Sequence, residues 1–167
     1  MKRSIIGALA AAALLAGCAM PPKEVPIQAE FDLKEHAPYA ATGPNMVTGQ
    51  AFLRQQGGGT VTCAGSRAVL FPATSFFKEI ASITARGQVP KYAGDNKVLR
   101  EYAALARNTR CDAQGNFDFP KVPAGKYLLI SEVVWTIRYE RQGGTLSREV
   151  EVVDGGQNRF LLSDADR

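Results

Sequence analysis

The chain of 167 residues is poor in the side chains that catalysis and metal binding use most. It has one histidine, His36, and three cysteines, none of them in a Cys-x-x-Cys pair. A Ser-His-Asp or Cys-His arrangement needs a histidine inside the folded domain, and zinc needs several Cys or His ligands. Because His36 lies in a proline-rich stretch that is typical of a linker, we expect no catalytic site, no metal centre and no cofactor.

Long charged runs and long apolar runs are also missing. No block of five like charges occurs, and no basic patch is interleaved with aromatic residues, which argues against nucleic acid as a partner. The apolar run from Ile5 to Ala16 has only about a dozen residues, whereas a membrane-spanning helix needs about 20. Apolar residues nonetheless make up 46% of the chain, which is enough to bury a core.

The first 18 residues have the layout of an export signal, in which Lys2 and Arg3 precede the apolar run. The run closes with Leu15-Ala16-Gly17-Cys18, which resembles a bacterial lipobox. The resemblance implies a signal peptide of residues 1–17, lipidation of Cys18, and a membrane partner reached through the lipid anchor. Ala19 after the cysteine implies the outer membrane, on its periplasmic face. Loss of Lys2 and Arg3 would lower the formal net charge from +4 to +2, because 18 basic residues then face 16 acidic ones.

Export also bears on the two remaining cysteines, Cys63 and Cys111. An isolated pair in an oxidising compartment favours a disulfide, which we therefore expect between them. The loop that it closes would give about 4 kcal/mol of stabilisation in the chain-entropy estimate. The alternatives, a reactive thiol or a metal site, lack a supporting spacing.

Residues 18–45 are predicted to form a lipidated, proline-rich tether. Five prolines interrupt this stretch, and each removes a backbone donor and disfavours helix in the residue before it. A semi-extended tether of this length would hold the domain tens of ångströms from the membrane. The alternative is that part of it packs on the domain through Ile27, Phe31 and Leu33.

From residue 46 onward, short apolar segments separated by Gly-rich turns predict a single β-domain over residues 46–164. We expect a hairpin across the turn from Asp112 to Gly115 and another turn at Gly143-Gly144. Residues 75–106 interrupt the pattern between the second and third strands, and helical spacing predicts a helix from Lys97 to Arg107. The predicted strands cover 47–54, 61–63, 68–72, 108–111, 117–120, 127–139, 146–153 and 159–162.

The stretch from Cys111 to Leu129, which reads CDAQGNFDFPKVPAGKYLL, resembles the signature of carboxypeptidase regulatory-like domains. The similarity covers about residues 46–73 and 107–162. It implies an all-β fold, a transthyretin-like (prealbumin-like) β-sandwich of seven strands with one helical insert. The long insert and the cysteine pair depart from the family pattern and indicate a specialised subgroup.

The insert at about 75–106 is where we expect a specific function, since long loops in compact domains are usually functional or disordered. Its aromatic and basic side chains predict an interaction surface made of Lys97, Arg100, Tyr102 and Arg107. The alternative is a cap over the sandwich in which the aromatic rings are buried. Asp112 and Asp118 flank a turn where calcium is conceivable, but a simple Asx-type turn fits Asp112 better.

These observations predict a protein that is not an enzyme. The first hypothesis is a scaffold or interaction lipoprotein at the outer membrane, with an envelope protein as partner. The alternative is a carbohydrate- or peptide-binding module that faces the cell wall, so glycan binding stays possible.

Overall fold

The computed structural model describes residues 21–94 and 96–167, so the predicted signal peptide and Cys18 lie outside the described residues. Within these ranges the chain is mostly β, with three short helices: α1 (Leu33–Ala40), α2 (Ser75–Ala85) and α3 (Asn96–Leu105). The strands are β1 (Glu24–Pro26), β2 (Asn45–Arg54), β3 (Thr60–Thr62), β4 (Arg67–Pro72), β5 (Val89–Lys91), β6 (Arg107–Arg110), β7 (Asn116–Val122), β8 (Gly125–Ile137), β9 (Glu140–Val152) and β10 (Arg159–Leu162). None of the described helices is both long and apolar enough to cross a membrane.

Two four-stranded sheets form the body of the domain. In the first sheet, β2 pairs in parallel with β10 and antiparallel with β7 and β3. The second sheet is antiparallel throughout, in the order β6-β4-β8-β9. A mostly-β, sandwich-like arrangement of sheets is confirmed, with ten strands in the described part of the chain in place of seven.

The main core lies between these two sheets. Residues along β2 alternate between buried and more exposed positions, as expected for a strand with one face in a core. Apolar side chains from both sheets pack there and are nearly inaccessible to water. The first sheet contributes Val47, Leu53, Phe119 and Leu162, and the second contributes Leu70, Tyr127, Leu129 and Leu146. The disulfide joins this core, since Cys63 and Cys111 are both buried there.

A second layer of apolar packing covers the outer face of the second sheet. Leu128 and Phe71 point away from the main core and contact the helices. Phe76 and Phe77 of α2 are 1% and 2% exposed, so the insert buries its aromatic rings as a cap would. The molecule thus has three layers: the helices, the second sheet and the first sheet.

The predicted tether is wrong for most of its length, because residues 24–40 pack within the helical layer. β1 pairs in parallel with β5 of the insert, and Ile27 and Phe31 join the aromatic cluster around Phe76. The prolines are compatible with this packing: Pro26 ends a strand that pairs only with β5, and Pro38 lies inside the short helix α1. The packing expected of Leu33 does not occur, since its side chain is 57% exposed.

Two predicted turns differ from the structure in an informative way. The turn between β8 and β9 is at Arg138-Tyr139, and Gly143-Gly144 lies inside β9. A side chain at Gly143 would bring its Cβ within 2.1 Å of the Val133 carbonyl oxygen, so this glycine permits close approach of two strands. The Asp112–Gly115 turn forms, but β6 pairs with β4 and β7 pairs with β2, so it connects two sheets and is no hairpin.

The insert itself contains two helices, α2 and α3, joined through β5. It occupies the chain between β4 and β6, close to the predicted bounds of 75–106. The helix predicted at Lys97–Arg107 is observed as α3, ending at Leu105. The sequence patterns gave no element at the start of the insert, where the structure has α2.

Candidate functional site

The structure separates the four residues predicted as an interaction surface. Tyr102 is half-buried and stacks on Phe77, with ring centroids 5.1 Å apart, and burial raises its pKa. Lys97 and Arg100 are exposed on α3. Two of the four side chains are therefore exposed, and the other two hold the fold together.

Arg107 fastens α1 to the domain. Its Nη2 donates to the carbonyl oxygens of Tyr39 at 3.3 Å and Ala41 at 2.9 Å, at the C-terminal end of α1. A cation is favoured at this end of a helix because unpaired carbonyl groups collect there. Arg107, which the sequence predicts as part of an interaction surface, thus holds the N-terminal segment in position.

His36 is the second residue that holds the N-terminal segment against the domain, and its side chain is 2% exposed. Its Nδ1 lies 2.6 Å from the carbonyl oxygen of Asp32, and its Nε2 lies 2.9 Å from Oγ1 of Thr74, the N-cap residue of α2. Since a carbonyl only accepts, Nδ1 is the donor in the contact with Asp32, and the Nδ1–H tautomer leaves Nε2 to accept from the Thr74 hydroxyl. The ring also stacks on Phe31 at 4.2 Å, so every part of it is used in packing.

The predicted disulfide between Cys63 and Cys111 is present, with Cα atoms 5.8 Å apart. It joins the residue after β3 to the residue after β6, and so closes the loop that contains the whole insert. Cys111 also begins the turn that carries Asp112. The disulfide therefore fixes the base of that turn against the core.

Asp112 organises the turn as an Asx-type residue. Its Oδ1 accepts from the backbone N–H of Gln114 at 2.9 Å and of Asn116 at 2.8 Å, and the Asn116 side-chain amide donates to both carboxylate oxygens. The Asn116 side chain, followed by its backbone N–H, holds the pKa of Asp112 below its usual range. Both carboxylate oxygens of Asp112 accept hydrogen bonds from N–H groups, so the side chain stabilises the turn. Among residues 21–94 and 96–167 no group of three or more acidic, His or Cys side chains is placed to hold a metal ion.

Beside this turn, the outer face of the first sheet carries a polar hollow of about 260 Å³. Thr48 on β2 lies between Asp118 on β7 and Arg159 on β10 in one row across the sheet. We call this the polar hollow; its lining residues are Thr48, Gly49, Arg110, Asp112, Asn116, Phe117, Asp118 and Arg159.

Asp118 and Arg159 are the distinctive pair in the polar hollow. Both are exposed, and within the described residues neither side chain has an ion-pair or hydrogen-bond partner. Neighbouring strands are about 4.8 Å apart, so two strand spacings separate their backbones by about 10 Å. A carboxylate acceptor and a guanidinium donor therefore lie on the same outward face of the sheet, on either side of Thr48.

Sequence reasoning missed this site because its parts are far apart along the chain. Thr48 and Arg159 become neighbours only through the parallel pairing of β2 with β10, a non-local contact that no turn predicts. Asp118 was recognised, but only beside Asp112 and as a calcium candidate. The available signal was the alternation in β7 and β10, which places Asp118 and Arg159 on the face opposite the buried side chains.

Two further cavities lie on the helical side of the molecule. One, of about 380 Å³, separates α1 from α3 and is mostly apolar, with Glu101 at its rim. The other, of about 670 Å³, opens between α2 and the second sheet and is lined by Phe71, Ile80 and Ile130, with Asp166 and Arg167 at one end. Both are gaps in the packing of the helical layer.

Comparison with solved structures finds similarity over most of the domain. The chain is 25% identical to a candidate carbohydrate-binding protein from Pseudomonas aeruginosa, with a TM-score of 0.63 over 81% of this chain and 98% of the other. A variant of BcpA, the major pilin subunit of Bacillus cereus, aligns with a TM-score of 0.39 and 13% identity, over 74% of this chain and 29% of the pilin. No family model matches the sequence. No curated protein matches it either.

Proposed function

We propose that this protein is a non-enzymatic glycan-binding module of the bacterial envelope, with a transthyretin-like sandwich of the carboxypeptidase regulatory-like type. The observation that carries the proposal is the polar hollow, with its unpaired carboxylate and guanidinium on opposite sides of one sheet row. The similarity to a candidate carbohydrate-binding protein over nearly that protein's full length supports the same reading. The resemblance of residues 111–129 supports the type of sandwich.

The chemistry of the hollow suits a sugar. Sugar hydroxyls donate and accept at once, so a site needs both kinds of partner, which Asp118, Arg159 and the Thr48 hydroxyl provide. The backbones of Asp118 and Arg159 are about 10 Å apart, so their side chains can contact opposite edges of one sugar ring. Leu161, 47% exposed and two residues from Arg159, adds an apolar surface for the carbon face of a sugar.

The experiment is a binding measurement with purified peptidoglycan and its soluble fragments. Because a hydrogen bond to a charged group is worth about 1.5–3 kcal/mol, Asp118→Ala and Arg159→Ala should each weaken binding by about 10- to 100-fold. Lys126→Ala and Glu151→Ala are matched controls, since these exposed residues face each other across β8 and β9 in the other sheet. Equal affinities for all four variants would contradict the site.

The cellular setting is part of the same proposal. Lipidation at Cys18 and attachment to the outer membrane rest on the Leu15-Ala16-Gly17-Cys18 motif. Mass spectrometry of the mature N-terminus should find an acylated Cys18, and Cys18→Ala should leave an uncut precursor. A Cys18→Ala protein that is released at normal mature size would show that an ordinary signal peptidase acts here.

A scaffold role in an envelope assembly is the alternative. Lys97 and Arg100 on α3 would then carry the contact with a protein partner. Crosslinking in the native envelope separates the two functions: glycan attachment that depends on Asp118 supports the module, and a protein adduct that depends on Arg100 supports the scaffold.

A further inference from the structure

The packing of the N-terminal segment limits how far the domain can move from its anchor. The backbone is paired from Lys23 onward, because the Lys23 carbonyl accepts from the Val89 N–H at 3.0 Å and β1 follows immediately. Only five residue steps then separate Cys18 from Lys23. A fully extended chain spans at most about 3.6 Å per residue, so the free tether is no longer than about 18 Å.

The point of attachment lies in the helical layer. β1 is bonded to β5 of the insert, and the backbone N–H groups of Gln28 and Ala29 donate to the Glu79 carboxylate of α2 at 3.0 Å and 2.6 Å. Lys91 forms an ion pair with Glu24 across the same two strands, and hydrogen bonding to Glu24 raises the pKa of Lys91. The chain therefore leaves the domain from the helices and not from the sandwich.

The polar hollow is on the opposite side of the molecule. The helices cover the outer face of the second sheet, and the hollow opens on the outer face of the first. A helix is about 10 Å in diameter and stacked sheets are about 10 Å apart, so roughly 20 Å or more of packed protein separates the two faces. A tether of about 18 Å is too short to pass around this thickness and turn the hollow toward the membrane.

We infer that the anchored protein is held in one orientation, with its helical layer against the lipid headgroups and the polar hollow facing away from the membrane. This inference rests on the proposed lipidation of Cys18. It assigns the membrane side to the surface around Val89, at the edge of the paired strands β1 and β5, and it directs a glycan-binding face toward material beyond the headgroups. A tether of five residue steps thereby fixes the orientation of the domain without a second membrane contact.

The experiment uses the acylated full-length mature protein in vesicles of phosphatidylethanolamine and phosphatidylglycerol that contain a lipid with a nitroxide on its headgroup. A fluorophore is attached to Val89→Cys or, as the matched control, to Leu161→Cys on the face of the hollow. The native side chains at positions 89 and 161 are 41% and 47% exposed, so the reagent reaches a thiol introduced at either position. Cys63 and Cys111 are joined in a buried disulfide and do not react. We expect at least threefold stronger quenching at position 89 than at position 161.

A flexible Gly-Ser segment of about 20 residues between Pro22 and Lys23 should abolish that difference while leaving the protein attached. Equal quenching at both positions in the acylated protein without the added segment would overturn the orientation. A mature N-terminus that carries no acyl chain would overturn the anchor and the orientation together. Failure of the unlabelled vesicle-bound protein to retain peptidoglycan, with the quenching difference intact in the labelled variants, would overturn glycan binding and leave the orientation standing.

Discussion

Replacing His36 tests whether the proline-rich N-terminal segment is part of the fold. The side chain is 2% exposed, stacks on Phe31 and has hydrogen-bond partners at both ring nitrogens. His36→Ala removes two hydrogen bonds of about 1 kcal/mol each and a ring contact worth about 0.5–1.5 kcal/mol. It also leaves the buried Thr74 hydroxyl without its acceptor, at a further cost of about 1–3 kcal/mol.

Together these losses predict a decrease of about 3.5–6.5 kcal/mol in the free energy of unfolding, against a total of about 5–15 kcal/mol for a typical domain. Urea unfolding of the mature chain, residues 18–167, followed through Trp135 fluorescence, measures this free energy by linear extrapolation. The melting temperature should fall by about 10 °C, since each kcal/mol shifts it by roughly 2–4 °C at this size. Leu33→Ala on the same helix is the control, and its 57% exposed side chain should cost no more than about 0.5 kcal/mol.

Trypsin provides a second reading of the same change. In the wild-type protein, α1 and its contacts should protect the bond after Lys34, and His36→Ala should expose it because the segment then detaches locally. A loss below 1 kcal/mol in the variant, together with rapid cleavage after Lys34 in the wild type, would show that residues 21–42 are a free tether. A free tether would also let the anchored domain take any orientation.

Two further predictions concern the sheets. Burial raises the pKa of Tyr127 to about 12 from 10.0, so the fold favours the neutral phenol, and the resulting stability is present below pH 10 and lost as the pH rises toward 12. Tyr127→Phe should therefore flatten the loss of stability at alkaline pH, measured by urea unfolding across that pH range. The variant should also cost about 1 kcal/mol at neutral pH, because the Tyr127 hydroxyl donates to the Pro123 carbonyl at 2.9 Å. An unchanged alkaline profile in the variant would refute the assignment. The β8–β9 turn places Arg138 and Tyr139 at φ values of 47° and 72°, and the Tyr139 side chain is fully exposed. Replacing the pair with Asn-Gly should raise the free energy of unfolding by about 1–2 kcal/mol, because asparagine and glycine adopt positive φ at lower cost than arginine and tyrosine. A urea midpoint that does not rise would show that the turn is not strained.

Local patterns predicted those parts of the fold that depend on local chemistry. The alternation in β2, the turn at Asp112 and the helix near Lys97 all follow from short stretches of sequence. The disulfide was predictable from the export signal and the count of cysteines, with no knowledge of the fold. The choice of partner for each strand was not, because β6 and β7 flank a good hairpin turn and yet pair with β4 and β2 in different sheets.

The N-terminal segment shows why proline content misleads when it is considered alone. A proline excludes a backbone donor at one position, but Pro26 sits in a strand that needs few donors and Pro38 in a helix of only eight residues. What holds the segment is supplied from elsewhere in the chain, through Arg107, Glu79 and Thr74. These are tertiary contacts, and a reading of residues 18–45 by themselves cannot contain them.

The same contacts decide what the two ends of the molecule can do. If the segment were free, about 27 residues of tether would let any face of the domain meet the membrane, and the position of the polar hollow would carry no information. With the segment packed against α2 and β5, the attachment point is fixed on one side of the three layers. If Cys18 is lipidated as proposed, the packing of Phe31 and the burial of His36, which have no direct connection to ligand binding, are the structural condition for presenting Asp118 and Arg159 away from the membrane.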